Sequence, residues 1–342
     1  MQNIKDLTLN EIEHRLLSIG EKPFHARQII AWLYAKNTAS FDEMTDLSKG
    51  LREKLKTGFL ISKPDIVSTE ISSDNTKKNL IKLDDGNCIE SVLIPEENRL
   101  TLCVSTQAGC SLGCRFCMTG KMGFARNLKL SEMTDQIFAA QSALTDEQKI
   151  TNIVLMGMGE PLLNYDEVIK FLNILTEPKG FAFAARRITV STAGIAPMIE
   201  RLGKETKVNL AVSLNAAADE IRTNLMPINK KYPLKQLLDS CRRYPLQRNR
   251  RVTFEYILIK GVNDSLDDAK KLVKLLKDIP CKINLIPFNP FPDAGFERPD
   301  DKTVSAFQKI LLDAEYTAFV RQSKGRDISA ACGQLKGKIC NG

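Results

Sequence analysis

The sequence predicts an α/β protein whose core is a partial (β/α)6 barrel, joined to a small N-terminal helical module and a β-rich linker. Three observations lead there. From about residue 100 onward, short apolar runs rich in β-branched residues alternate with helical patterns, the signature of parallel strands with helices packed outside them. The units number about six or seven, short of the eight that close a full barrel. The chain of 342 residues is also roughly two domains' worth, long enough to bury a core without covalent staples.

The elements follow in order. Residues 1–64 read as helices. Thr8 and Glu11 have capping-box spacing ahead of Ile12, Leu16 and Leu17, and Gly20 is a stop signal. Pro23 suits the first position of a second helix, with Ile29, Ile30, Leu33 and Tyr34 at helical spacing. A third amphipathic stretch covers residues 47–60. Residues 65–95 then form a β-rich linker, with runs at 66–71, 79–83 and 89–94 broken by turn clusters such as Asp84-Asp85-Gly86. A further run at 100–105 opens the core, residues 96–342. Strands are expected at 153–156, 188–191, 208–214, 252–259, 283–288 and 317–321. Helices are expected at 131–144, 165–176, 195–203, 234–244, 265–277 and 302–314.

Composition bounds the chemistry. Hydrophobic residues at 43% and charged residues at 26% exclude a disordered chain. The opening MQNIKDLTLNEIEHR has no apolar signal region. The longest early apolar run, 29–35, is far short of the roughly 20 residues that span a bilayer. A cytoplasmic location is therefore expected, with no membrane partner. Nine cysteines stand against two histidines, His14 and His25. That balance disfavours both a disulfide scaffold and His-centred hydrolysis, and points to thiol chemistry in a reducing compartment.

The net charge of +8 is unevenly spread. Residues 1–70 are neutral, with ten basic and ten acidic side chains. Residues 230–260 hold nine Lys and Arg against two Asp and Glu, and residues 321–342 hold five against one. Such clusters are either solvated faces or surfaces for a polyanion.

The strongest motif is Cys110-Ser-Leu-Gly-Cys114-Arg-Phe-Cys117. Three thiolates within eight residues can converge on one group. A structural zinc site wants four ligands, usually from two separated pairs, and no fourth Cys or His is near. Three match a [4Fe–4S] cluster with one iron left open to a small-molecule ligand. The motif follows the 100–105 strand, at the end where barrel enzymes put their chemistry. A second motif, Gly157-Met158-Gly159-Glu160-Pro161, follows the 153–156 strand; a Gly-rich turn with a carboxylate there suits capture of an amine. A third is Cys332 in Ala330-Ala331-Cys332-Gly333-Gln334-Leu335, which alone reads as a loop thiol.

The CxxxCxxC spacing, with Phe116 just before the last cysteine, resembles the radical S-adenosylmethionine (SAM) superfamily. The segments TLCVSTQAGCSLGCRFC, GMGEPLLN, MPINKKYPL, NLIPFNPFP and GRDISAACGQL, with GEKPFHARQI and FDEMTDLSK before them, are similar as an ordered set to its RlmN/Cfr family of RNA adenine methyltransferases. The likeness runs from about residue 10 to about residue 335.

The resemblance implies a radical SAM barrel and the following roles. Cys110, Cys114 and Cys117 hold one [4Fe–4S] cluster. Cys332 carries the methyl group, Glu90 accepts a proton, and Cys103 resolves the intermediate through a transient Cys103–Cys332 disulfide. Gly159, Glu160, Ser191, Ser213, Leu214, Asn215 and Asn289 contact SAM, two molecules of which are used per turnover. Position 215 departs from the family, which commonly has His; an amide cannot titrate near neutral pH. The implied product is adenosine methylated at carbon 2, in 23S rRNA at the peptidyl transferase centre and in tRNA beside the anticodon. The implied partners are those RNAs and an electron donor such as flavodoxin or ferredoxin, and a monomer is the default.

Two other readings compete. The family's other branch methylates carbon 8 of the same rRNA adenosine, and Pro161 favours the carbon-2 branch. A metal-stapled RNA-binding protein without catalysis is the reading from another class. Cys88, Cys241, Cys281 and Cys340 are read as incidental, and the neutral helical module as contacting RNA by shape, with the 230–260 stretch supplying most phosphate contacts.

Overall fold

A computed structural model describes residues 1–145 and 147–337. Gln2–Asn3 (β1) pairs in parallel with Phe59–Leu60 (β2), clasping the two ends of the helical module. Between them lie Leu9–Ser18 (α1), His25–Ile30 (α2) and Lys49–Gly58 (α3). The capping box forms: Thr8 Oγ1 accepts from the Glu11 amide at 3.3 Å and the Glu11 carboxylate accepts from the Thr8 amide at 2.7 Å. Gly20, at φ +75°, ends that helix in a conformation that favours glycine. Pro23 stands ahead of the first turn of α2 instead of opening it, because a turn through Lys22 and Pro23 carries the chain into His25. The apolar run then continues as a π-helical segment, Ala31–Ala35, that buries Leu33 and Tyr34.

The module is fixed to the core through its first residues. Lys5 and Asp135 form a buried ion pair, and Asp6 accepts from the Ser131 amide at 3.0 Å, near the start of a core helix.

The linker is part of the main sheet. Asp65–Ile71 (β3), Lys77–Lys82 (β4) and Cys88–Glu96 (β5) pair antiparallel in sequence, and β5 pairs antiparallel with Arg99–Cys103 (β6). A short hairpin, Gln107–Gly109 (β7) and Phe124–Asn127 (β8), encloses the cysteine motif and the turn of helix Met118–Lys121 (α4). From β6 the chain alternates. Leu130–Gln141 (α5) leads to Asn152–Leu155 (β9), and Tyr165–Thr176 (α6) to Ile188–Thr192 (β10). Ala196–Glu205 (α7) leads to Asn209–Ser213 (β11). Asp219–Leu225 (α8) and Leu234–Arg243 (α9) lead to Val252–Leu258 (β12). Leu266–Leu275 (α10) leads to Cys281–Pro287 (β13), and Asp301–Asp313 (α11) to Thr317–Val320 (β14).

Strands β6, β9, β10, β11, β12, β13 and β14 are parallel neighbours in that order, so six βα units precede a seventh strand. With β5, β4 and β3 on the other edge the sheet has ten strands. Val190, Val212, Phe254 and Ile283 are fully buried, as expected of strands covered on both faces. No helix among the described residues is long and apolar enough to cross a membrane.

Candidate active site

Five strand ends, β9 to β13, open into one cavity of about 880 Å³ including its mouth and the solvent in it. The cysteine motif and Cys332 complete its wall.

The motif's loop is shaped by backbone. Gly109 is at φ +79°, and a Cβ there would stand 2.1 Å from the Gly123 carbonyl oxygen. Only glycine therefore lets the strands of the hairpin meet, after which the Cys110 amide donates to that carbonyl at 2.7 Å. Cys110, Cys114 and Cys117 all line the cavity. Burial raises all three thiol pKa values, that of Cys110 to about 12. Cys114 is pushed further by the nearby Cys117 and Cys110. Three apposed thiols in a dry pocket cannot all ionise unless a cation shares the site, which is what an iron–sulfur cluster provides. Among the described residues no three such side chains converge as a single metal ion would need. A cubane, whose iron atoms sit at separate corners, does not demand that convergence. The residues fit a cluster.

The glycine turn after β9 is packed against the β6–β7 connection. A Cβ on Gly157 would meet Ser105 Oγ at 2.6 Å, and one on Gly159 (φ +95°) would meet Gln107 Cβ at 2.4 Å. The Glu160 amide donates to Gln107 Oε1 at 2.8 Å. Its carboxylate accepts from the amides of Ala193 at 2.6 Å and Leu162 at 3.0 Å. Burial outweighs those donors and raises the Glu160 pKa to about 7. No cationic side chain pairs with it among the described residues. A buried carboxylate of this kind favours a positively charged ligand.

Ser191, Ser213, Asn215 and Gly159 line the same cavity, as Glu160 does. Leu214 and Asn289 do not. Leu214 is buried, and its backbone carries the connection: its amide donates to Glu255 O at 2.9 Å and its carbonyl accepts from Arg222 Nε at 3.0 Å. Asn289 donates to the Cys332 carbonyl at 3.3 Å and buries its own carbonyl oxygen without a partner among the described residues. Asn215 sits at φ +60°, a left-handed position that asparagine tolerates, and accepts from the Ile257 amide at 2.8 Å. That amide tie between β11 and β12 is a structural use for the residue found where the family commonly has His.

Cys332 is exposed to the cavity it lines. Burial of its sulfur and the nearby Glu255 carboxylate raise its pKa to about 11. Cys103 and Glu90 are buried and absent from the cavity wall. Burial, then the neighbouring Cys332, raises the Cys103 pKa far above the ordinary thiol value. Both cysteines are free thiols. Glu90 accepts from the Lys336 amide at 2.6 Å and pairs with Lys78 at 3.2 Å. Cys241 and Cys281 are buried free thiols; Cys88, read as incidental, is buried but disulfide-bonded. Cys340 lies outside the described residues.

Sequence reasoning missed several residues that hold the site. Arg222, fully buried, donates to the carbonyls of Ala193, Ser213 and Leu214. Gln107 and Glu255 were also passed over, each an isolated polar residue in a strand pattern with no local signal. The basic side chains of the 230–260 stretch are divided between the two ends of the sheet. Arg248, Arg250 and Arg251 precede β12, at the end of the sheet opposite the cavity, and Arg250 and Arg251 bond Lys207 O and Thr317 Oγ1. Arg242 and Arg243 pair with Asp239 and Glu200. Within that stretch Lys230 and Lys231, in the connection after β11, stand on the cavity side. The 321–337 segment instead runs beside the cavity, with Arg321 close to Cys332.

Comparison with known proteins agrees with this geometry. Residues 104–276 match the Radical SAM superfamily, and residues 2–61 match the ribosomal RNA large subunit methyltransferase N-terminal domain. The chain is 53% identical over 336 residues to the dual-specificity RNA methyltransferase RlmN of Syntrophus aciditrophicus, covering 98% of this chain and 97% of that one. It is 53% identical over 339 residues to the protein of the same name from Geobacter sulfurreducens, covering 99% and 93%. A crystal structure of a radical SAM methyltransferase from Sphaerobacter thermophilus superposes with a TM-score of 0.92 at 46% identity, covering 98% of this chain and 99% of that one.

Proposed function

This chain belongs to the RlmN family of dual-specificity RNA methyltransferases, within the radical SAM superfamily, and from that premise we propose that it methylates carbon 2 of adenosine in 23S rRNA and in tRNA through an S-methylated Cys332. The observation that carries this reading is that Cys332 shares one cavity with Cys110, Cys114 and Cys117. A thiol meant only for packing has no reason to face a cluster site.

A [4Fe–4S] cluster held by Cys110, Cys114 and Cys117 supplies, with SAM, a 5′-deoxyadenosyl radical. The protein's own residues do the rest. Glu160, a buried carboxylate without a cationic partner among the described residues, receives the SAM ammonium, with Gly159, Ser191, Ser213 and Asn215 lining the rest of its seat, Leu214 supporting it through its backbone and Asn289 through its bond to the Cys332 carbonyl. Cys332 takes the methyl group of one SAM by polar displacement, for which its thiolate is the nucleophile. A second SAM serves as radical source, so two are used per turnover. The S-methyl group loses a hydrogen atom to the 5′-deoxyadenosyl radical, and the methylene carbon so exposed bonds to carbon 2 of adenine, an electron-poor position that cannot itself attack SAM. Glu90 then accepts the proton from carbon 2. The adduct returns the one electron that opened the radical step, and Cys103 attacks the Cys332 sulfur, whose bond to the transferred carbon breaks; that carbon takes up a proton to become the methyl group, and a reductant restores the two thiols from their disulfide.

In this reading residues 1–64 are an accessory RNA-binding module, 65–95 a linker and 96–342 the catalytic core. The enzyme acts in the cytoplasm as a monomer, supplied with electrons by a flavodoxin or ferredoxin. The test is anaerobic turnover of reconstituted enzyme with SAM, a reductant and an rRNA fragment, with the methyl position read by mass spectrometry. Methyl at carbon 2, and none with Cys332→Ala, is expected. Wild-type rates from Cys332→Ala would overturn the carrier role, and methyl at carbon 8 would move the protein to the family's other branch.

A further inference from the structure

Lys78 lies on β4, two residues along from the position opposite Glu90 on β5, so both side chains leave the same face as diagonal neighbours. Both are buried. The Lys78 ammonium donates to the Ile328 carbonyl at 2.7 Å and stands 3.2 Å from the Glu90 carboxylate and 3.4 Å from that of Glu70. Its three N–H donors thus have three acceptors. The other Glu90 oxygen accepts from the Lys336 amide at 2.6 Å. Ile328 is four residues before Cys332 and Lys336 four after it, so one ion pair grips both arms of the Cys332 loop.

The loop's tip has separate anchors. Asn289 donates to the Cys332 carbonyl, the Met118 amide to the Gly333 carbonyl at 2.8 Å, and Thr119 Oγ1 to the Leu335 carbonyl at 2.8 Å. None of these involves β4. Removing Lys78 therefore leaves the thiol facing the cavity while depriving Glu90 of its cation and of its fixed spacing from the loop.

We infer that Lys78 is a positioning residue for the proton-transfer step, setting where the Glu90 carboxylate stands relative to Cys332 by holding Glu90 and the Ile328 carbonyl at once. This rests on the roles proposed above for Glu90 and Cys332. The consequence is a split between two half-reactions. Methyl transfer from SAM to the Cys332 sulfur does not use Glu90. Release of the RNA adduct does, because the carbon-2 proton must pass to that carboxylate before Cys103 and Cys332 can form their bond.

The experiment uses reconstituted holoenzyme of wild type, Lys78→Met, Lys78→Gln and Lys78→Arg. Three quantities are read: the mass of the Cys332 peptide after SAM alone, methylated adenosine in a 23S rRNA fragment, and protein–RNA adduct on denaturing gels. Lys78→Met is expected to acquire the S-methyl group as wild type does, to methylate RNA at least about tenfold more slowly and to accumulate adduct. Lys78→Gln keeps a donor for Ile328 but no charge, and shows the same split should the methionine variant fold poorly. Lys78→Arg recovers RNA methylation to within about threefold of wild type. The inference is overturned if the uncharged variants methylate RNA at the wild-type rate, if they lose both half-reactions equally, or if arginine does no better than methionine. A wild-type enzyme that methylates RNA without ever acquiring a methyl on Cys332 would instead count against the carrier reading.

Discussion

The side-chain amide of Asn289 donates to the backbone carbonyl of Cys332 at 3.3 Å, tying the segment after β13 to the loop that carries the cavity thiol. Its carbonyl oxygen is buried with no partner among the described residues, a cost that a bound ligand can offset. Loss of a buried hydrogen bond costs about 1–3 kcal/mol. Asn289→Ala should therefore raise the KM for SAM about tenfold while lowering kcat less. Steady-state kinetics over a SAM series would decide it, and an unchanged KM would remove Asn289 from the cofactor's seat.

Glu255 is a buried carboxylate on the cavity wall, held by Asn284 Nδ2 at 2.9 Å. Burial raises its pKa. A carboxylate with a folded pKa above its unfolded one binds more protons in the native state, so stability is greatest below the unfolded value and is lost as pH rises through the folded one. Glu255→Gln should remove that loss. The variant's thermal midpoint should exceed wild type's at pH 8, and the gap should close near pH 4. Because the Glu255 charge opposes the Cys332 thiolate, the variant's Cys332 should also react faster with iodoacetamide at pH 8. An unchanged alkylation rate would show that the two groups do not interact.

How much of this was legible depends on how local each signal is. Thr8 and Glu11 announced their helix because both hydrogen bonds of the capping box close within four residues. The parallel strands were legible because apolar runs recur with helices between them. The β7–β8 hairpin was not: its strands are short, its register shifts between Ala108 and Gly109, and the cysteine motif fills its loop. Pro23 misled because a turn before a helix uses the same residue as a helix start. Cys110, Cys114 and Cys117 were legible from spacing, whereas Glu90 and Cys103 were reached only through family resemblance. Lys78 had no signal at all, since its partners Glu90 and Ile328 are set by pairing across β4 and β5 and by a loop 250 residues away.

Gly159 has no room for a side chain. At φ +95°, with Gln107 Cβ 2.4 Å from where a Cβ would stand, alanine must displace the start of β7 or the turn. A strained backbone position of this kind costs about 1–3 kcal/mol. Gly159→Ala should lower the thermal midpoint measurably and weaken SAM binding more than Asn289→Ala does, because Glu160 follows directly and its amide donates to Gln107 Oε1. Equilibrium dialysis with labelled SAM checks this. Tight binding by a destabilised Gly159→Ala protein would separate the turn's packing from its ligand role.

The basic side chains that meet RNA should be those beside the cavity, whatever the local charge count. Arg326 is exposed, six residues before Cys332, and lines an open cleft with Ser72, Ser73 and Gln334; the cleft's two carboxylates, Asp74 and Asp327, already accept from Gly325, Ser72 and Ser73. No ion pair holds Arg326 among the described residues. Arg248 lies in the connection that enters β12 from the end of the sheet opposite the cavity. A lysine or arginine that neutralises one phosphate releases one counterion, so its removal lowers the slope of log K against log salt by about one. Arg326→Ala should weaken binding of an rRNA fragment and lower that slope by about one, while Arg248→Ala leaves both unchanged. Fluorescence anisotropy over a salt series reads both quantities. A larger effect from Arg248 than from Arg326 would mean that the RNA reaches round to the far end of the sheet, and the 230–260 stretch would regain the role its charge suggested.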